Sequence, residues 1–276
     1  MPEEFWKPSS PGSMNDFLKG YSLREALALQ PRELIALVGA GGKTTLMFRL
    51  AKEFLLHAQK VITTTTTKIF EPSQEETPWL LVEREEKRIK RQLVPLLEKY
   101  HHLTLAAERV GSGKLAGFPP DVIDRLWQDH EIDGVIVEAD GAKRRPLKAP
   151  REGEPVIPSR STLIIGLLGL DGLDKELNEE NAFQVDRLSR LTGTPRGERI
   201  SEETFIHLAL HPEGLFKGSP SEARRVVLLN QVDLLKEKER AIRLGQRILE
   251  EGSPKIERIL LGQLQKEPPV LEVIGG

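Results

Sequence analysis

The chain has 276 residues, 40 of them Lys or Arg and 42 Asp or Glu, for a formal net charge of -2. That is long enough to bury a full core, and with no basic surplus to drive counterion release no nucleic-acid partner is expected. Cysteine is absent, which excludes disulfides, thiolate metal sites and any persulfide or selenide carried on a thiol of this chain.

The opening MPEEFWKPSSPGS is acidic and proline-rich, lacks the basic and apolar blocks of a signal peptide, and is expected to form a flexible extension over residues 1–14. No apolar run approaches the ~20 residues that span a bilayer, so no membrane partner and a cytoplasmic location are expected. Ser22 with Glu25 makes a capping-box pattern opening a short helix that stops before Pro31. Leu34 to Val38 is an apolar run ending at glycines, as a buried parallel strand would be. The helix after it carries Leu46, Met47, Leu50, Ala51, Phe54 and Leu55 at three- and four-residue spacing, one stripe facing a sheet.

Val61-Ile62 running into the threonines at 63–67 predicts a second strand, followed by a charged helix around Glu83–Tyr100 and a strand over His102–Ala106. Asp121–His130 follows two prolines and reads as a helix, Gly134–Glu138 as a buried strand ending in acids, and Ser161–Leu168 as another strand. Residues 174–217 look mainly helical; Arg225–Asn230 is a strand, Leu235–Glu251 a helix and Ile256–Leu261 a late strand. This alternation predicts an α/β fold, a mostly parallel sheet with helices on both faces, as a single domain over residues 15–276 with an insertion around 174–217. Ligands of such sheets gather at the carboxyl ends of the strands. The unusual residues all fall there.

The stretch LIALVGAGGKTTLMF (residues 34–48) has the glycines, lysine and threonine of a phosphate loop at the wrong interval. The common pattern needs a glycine six places before the lysine, where Leu37 stands; the glycine is instead Gly39, four places before Lys43. A strand before and a helix after still supply the physical requirement, consecutive amides and a helix N-terminus aimed at an anion. Gly39, Ala40, Gly41, Gly42, Lys43, Thr44 and Thr45 are therefore the expected phosphate contacts, with Lys43 reaching the terminal phosphates and the Thr44 hydroxyl on Mg²⁺. The shortened interval resembles that of the Mur ligases, which bind ATP, so the loop leaves the base open. The fold expected is thus a P-loop NTPase-like three-layer αβα arrangement.

Glu138 and Asp140 end the strand in DGVIVEADGAKRRPLKAP, where phosphate-loop proteins keep the acid that holds Mg²⁺ or positions the attacking water. Either acid suits either role. Arg144, Arg145 and Lys148 follow and suit neutralisation of phosphate charge, Arg145 being the catalytic candidate. The run Thr63–Thr67 carries more hydroxyls than packing needs; Thr66, Thr67 and Lys68 are expected near the terminal phosphate. Asn230-Gln231-Val232-Asp233 resembles the N-K-x-D motif of GTPases with Gln in place of Lys, so Asn230 and Asp233 are expected to read the base, with GTP favoured over ATP.

Three weaker signals remain. GSGKLAGFPP (residues 111–120) lacks Ser or Thr after Lys114 and reads as a surface loop or lid. The histidines show no ligand spacing with a third partner. Asp171 and Asp174 follow a strand and are candidates for substrate contact.

Taken together, LVGAGGKTTLMFRLAKE, VITTTTTKIFEP, VIVEADGAKRRPLKAP, IIGLLGLDGL and VVLLNQVDLL resemble the YqeC-type family, accessory proteins of selenium-dependent molybdenum hydroxylases. The resemblance implies a phosphate-loop NTPase-like protein that serves maturation of a selenium-containing cofactor, with a molybdenum hydroxylase or its cofactor-assembly proteins as partners. It supplies no chemical step. An Mg²⁺-dependent nucleotide hydrolase is expected first; a phosphotransferase or ligase with a Mur-like ATP loop, and a nucleotide-gated binding module without turnover, stay open.

Overall fold

The computed structural model describes residues 20–128 and 132–276, so the expected N-terminal extension and His130 lie outside the described residues. In chain order the first half comprises α1 (Leu23–Leu27), β1 (Glu33–Gly39), α2 (Lys43–Leu56), β2 (Val61–Thr65), β3 (Lys68–Phe70), β4 (Leu80–Val82), α3 (Glu86–Tyr100), β5 (His102–Ala106), β6 (Glu108–Val110), β7 (Lys114–Ala116) and α4 (Pro120–Trp127). The second half comprises β8 (Gly134–Glu138), β9 (Leu147–Lys148), β10 (Leu163–Gly169), β11 (Ala182–Phe183), α5 (Val185–Thr192), α6 (Glu202–Leu210), β12 (Arg224–Asn230), α7 (Lys238–Gly252), β13 (Arg258–Gly262) and β14 (Val270–Gly275).

Nine strands form one sheet in the order β14-β13-β12-β10-β1-β8-β2-β5-β4. All its pairs are parallel except that of β14 with β13. Every residue of β1, β8 and β10 is buried, as a sheet covered on both faces demands. Alternate residues then serve opposite layers. Ile35 and Leu37 pack with Leu46, Leu50 and Phe54 of α2. Ala36 and Val38 pack with Leu188 of α5, Phe205 of α6 and Leu244 of α7. Val135 and Val137 pack with Leu93 of α3 and Ile123 of α4. The fold is a three-layer αβα sandwich, with β1 at the centre and the chain passing to either side of it. That reversal opens a crevice at the carboxyl ends of the central strands.

The structure departs from the sequence reading in four places. The threonine run does not stay in one strand: Thr66 N donates to Glu138 O at 3.2 Å and Thr67 N to Thr65 Oγ1 at 3.0 Å, which ends β2 and turns the chain into β3. The stretch 111–120 is not loop throughout: Lys114–Ala116 form β7, which pairs with β6 in a hairpin extended by β3 into a separate antiparallel sheet. Of 174–217 only α5 and α6 are α-helical, because Pro195, Gly193 and Gly197 interrupt the pattern. The edge strands β4 and β14 were not expected, the first being three residues long. Among the described residues no helix is long and apolar enough to cross a membrane.

Candidate functional site

The loop between β1 and α2 turns on glycines. Gly41 and Gly42 have φ of 87° and 129°, and a Cβ on Gly41 would lie 2.5 Å from Gly169 Cα, so both the conformation and the close approach need glycine here. The amides of Gly39 and Ala40 are already used, donating to Asp140 Oδ2 at 3.1 Å and Leu167 O at 2.9 Å. Those of Gly41, Gly42, Lys43, Thr44 and Thr45 have no acceptor among the described residues. Five consecutive free donors at the N-terminus of a 14-residue helix make an anion cradle. The compressed interval therefore narrows the cradle to Gly41–Thr45 and turns Gly39 and Ala40 into its structural base.

The acids lie beside it. Leu37 of β1 and Thr65 of β2 both stand opposite Glu138 of β8 in the sheet register, which brings the end of β8 level with the loop. Thr44 Oγ1 donates to Glu138 Oε2 at 2.8 Å. Burial pushes the Glu138 carboxyl above the ordinary carboxylate range, against the opposing pull of Lys43 and the Thr44 hydroxyl. Lys43, 4% exposed, turns back over the loop, where its ammonium donates to Gly39 O and lies 3.1 Å from Asp140 Oδ1. Asp140, 1% exposed, also lies 3.0 Å from the ammonium of Lys148, which in turn meets Glu154 at 2.8 Å and Gly141 O at 2.9 Å. A buried chain of alternating charge thus runs Lys43–Asp140–Lys148–Glu154, each member paired as burial requires.

Asn230 has a different place from the one its motif suggests. At the end of β12, opposite Gly169, it donates from Nδ2 to Gly41 O at 2.7 Å and accepts the Leu264 amide at Oδ1 over 3.1 Å. It is a clamp on the anion loop. Asp233 lies three residues on, paired with Lys266 at 2.8 Å. Between them Gln231 Oε1 is buried with no hydrogen bond, as is Asp171 Oδ1; a Cβ on Gly169 would meet them at 2.6 and 3.0 Å. Two unsatisfied acceptors beside the loop fit a ligand that brings donors.

Other expected residues do not join this cluster. The hydroxyls of Thr63 and Thr64 bond to Thr104 and Leu105 O, and that of Thr66 to Val156 O; Thr67 Oγ1 is 3.2 Å from Thr65 Oγ1. Lys68 is exposed at the start of β3, paired with Ala116. These residues shape the bend after β2 and are not part of the acid and lysine assembly. Arg145 lines a neighbouring cavity. Asp174 pairs with Arg240 at 2.6 Å, and His207 and His211 make ordinary hydrogen bonds to Thr192 O and the Glu213 amide. Sequence reading missed Glu154 and Leu264, whose signals are only their distance from any motif, and gave Lys148 no structural role.

The profile of the YqeC protein family matches residues 35–186, a span that holds the anion loop, the threonine run and both acids and ends before Asn230. The chain belongs to the YqeC family. It is 32% identical over 243 residues to YqeC of Escherichia coli (strain K12), covering 86% of this chain and 90% of that one. Among solved structures, FtsY from Mycoplasma mycoides aligns at 12% identity with a TM-score of 0.35 over 84% of this chain and 61% of its own length, a likeness too distant to carry any inference. Membership in the YqeC family accords with the resemblance of the sequence segments.

Proposed function

We propose that this YqeC-family protein binds a nucleoside triphosphate with Mg²⁺, GTP in preference to ATP, and hydrolyses it in service of maturing the selenium-containing cofactor of a molybdenum hydroxylase. The observation that carries the reading is the row of free amides from Gly41 to Thr45 beside Glu138 and Asp140. Polyphosphate is the ligand that such a cradle, a lysine and a hydroxyl–carboxylate pair suit together.

The donor set fits Mg²⁺. Thr44 Oγ1 and Glu138 Oε2 are a hard-oxygen pair already 2.8 Å apart, and these two residues would hold the ion, phosphate oxygens and water completing its shell. When bound, the ion supplies positive charge to the phosphate oxygens. Asp140 was the other candidate ligand, but Gly39 N, Lys43 and Lys148 already surround its carboxylate, so it acts by positioning Lys43. Lys43 leaves Gly39 O to meet the terminal phosphates. With Oε2 facing Thr44 and the ion, the other carboxylate oxygen of Glu138 would orient the attacking water.

Asp233 and the unsatisfied Gln231 Oε1 and Asp171 Oδ1 support guanine, whose N1–H and 2-amino group both donate. The link to selenium and molybdenum rests on the family resemblance. One observation favours a second reading, phosphotransfer to a small acceptor: the loop interval shared with the Mur ligases. Single-turnover phosphate release with Mg²⁺ and GTP decides between them. Release by the protein alone, reduced about a hundredfold or more in Glu138→Gln at saturating nucleotide and Mg²⁺, supports hydrolysis. No release until an acceptor is added supports transfer, and no release under any condition overturns both.

A further inference from the structure

We propose that the cavity beside Phe183 is a second ligand site, distinct from the anion loop, which takes a small phosphate monoester whose ring lies on Phe183. The cavity measures about 500 Å³ and is lined by Lys143, Arg145, Arg151, Arg187, Arg190 and Phe183 among others. That is within the range of small-molecule sites. The cations come from two separate segments, 143–151 and 187–190, that line one cavity; two of the first segment lie over the aromatic ring, the Lys143 ammonium 5.1 Å and the Arg151 guanidinium 4.7 Å from its centroid.

The charge balance selects an anion. Arg187 is paired with Glu213 at 3.2 Å. Lys143, Arg145, Arg151 and Arg190 form no ion pair with a carboxylate among the described residues. Glu152, Glu179 and Asp186 also line the cavity, against five cations, and Arg196, which does not line it, pairs with the last two at 2.6 and 3.2 Å, so the balance stays positive. Four unpaired cations exceed what a single carboxylate needs, and guanidinium forks match phosphate oxygens. On an ordinary solvated face such cations spread apart; here a concavity gathers them around Phe183. The chain is held there at a cost, with Lys143 and Arg144 both in the left-handed region at φ of 48° and 60°.

The site is separate from the anion loop yet touches its machinery. No residue from Gly39 to Thr45 lines the cavity. The wall between them is the segment 141–148: Pro146 O abuts Gly41, and the Lys148 ammonium, 3.0 Å from Asp140, lies 6.0 Å from the Phe183 ring centroid. A ligand on Phe183 is therefore one side chain away from the carboxylate that holds Lys43.

The test titrates phenyl phosphate, inorganic phosphate and benzoate into the full chain by calorimetry at one fixed ionic strength. Phenyl phosphate is expected to bind the wild type and Lys43→Ala alike. It is expected to weaken at least tenfold in the double variant Arg151→Ala with Arg190→Ala, both residues being exposed, with the fold of the variant checked by circular dichroism. Phe183→Leu, which keeps apolar bulk without the ring, is expected to bring phenyl phosphate down to the affinity of inorganic phosphate. Unchanged binding in the double variant, loss in Lys43→Ala instead, benzoate binding as tightly as phenyl phosphate, or no binding to the folded wild type would each overturn the proposal.

Discussion

The hydroxyl of Thr44, on the first turn of α2, donates to Glu138 Oε2 at the end of β8 over 2.8 Å. In the proposed site this pair is the seat of the metal, so Thr44→Ala removes a ligand without touching the amide cradle. Nucleotide affinity in Mg²⁺ is expected to fall about tenfold or more, roughly 1.4 kcal/mol, while affinity measured in EDTA stays unchanged. An equal loss in both conditions would place Thr44 in the phosphate contacts instead.

Asp140 has a larger structural burden. Asp140→Ala leaves Lys43 buried without its carboxylate and Lys148 with Glu154 alone. Breaking one partner of a buried charge cluster costs about 3–5 kcal/mol, and urea unfolding of Asp140→Ala against wild type reads it. A loss below about 1 kcal/mol would mean that the charges relax to solvent.

Asn230 and Asp233 should separate cleanly despite sharing one motif. Asn230→Ala deletes the bond to Gly41 O and the acceptor for Leu264 N, so affinity for GTP and ATP should fall together. Asp233→Asn should leave ATP binding alone and lower the GTP to ATP preference. Competition binding with both nucleotides measures the two ratios, and a preference altered by Asn230→Ala alone would reverse the assignment.

His102 gives the fold a pH dependence. Burial holds its pKa at about 4, below the ordinary 6.5, while Thr63 Oγ1 lies 3.1 Å from Nε2. Between those values the unfolded chain takes up a proton that the folded chain refuses, so stability is full above the ordinary value and is lost as pH falls toward the lowered one. Linkage puts the loss between about pH 7.5 and about pH 5 at about 2 kcal/mol. Denaturant unfolding should show that much less pH dependence in His102→Gln than in wild type; parallel curves would mean that the imidazole titrates freely.

The parts of this design differ in how far they could be read along the chain. The glycine turn from β1 into α2 was legible because its requirements are local: glycines, a lysine and a helix start within six residues of β1. The acids were legible too, since a parallel sheet carries strand ends to one rim. Lys148 and Asn230 have contacts within the chain that the sequence did not reveal, for opposite reasons. Lys148 lies in a basic run that looks solvated, and only the fold shows that it is buried against Asp140. Asn230 matched a familiar motif, and the match concealed its bond to Gly41 O. Thr66, Thr67 and Lys68 stand apart from the acids and Lys43 in this structure, because hydroxyls at a strand exit also serve to bend the chain, as Thr65 Oγ1 does in accepting from Thr67 N. The cavity at Phe183 could not be read at all, being assembled from segments joined only when β9 pairs with β11.

The account depends most on the amides of Gly41 to Thr45 capturing a polyphosphate together with Lys43, and equilibrium binding of GTP, ATP and their diphosphates with and without Mg²⁺ measures this directly. Wild type should bind a triphosphate more tightly with Mg²⁺ than without, and Lys43→Ala, still folded, should lose about a hundredfold or roughly 2.7 kcal/mol. A folded wild type that binds none of the four, or a Lys43→Ala protein that binds them as well as wild type, would contradict it.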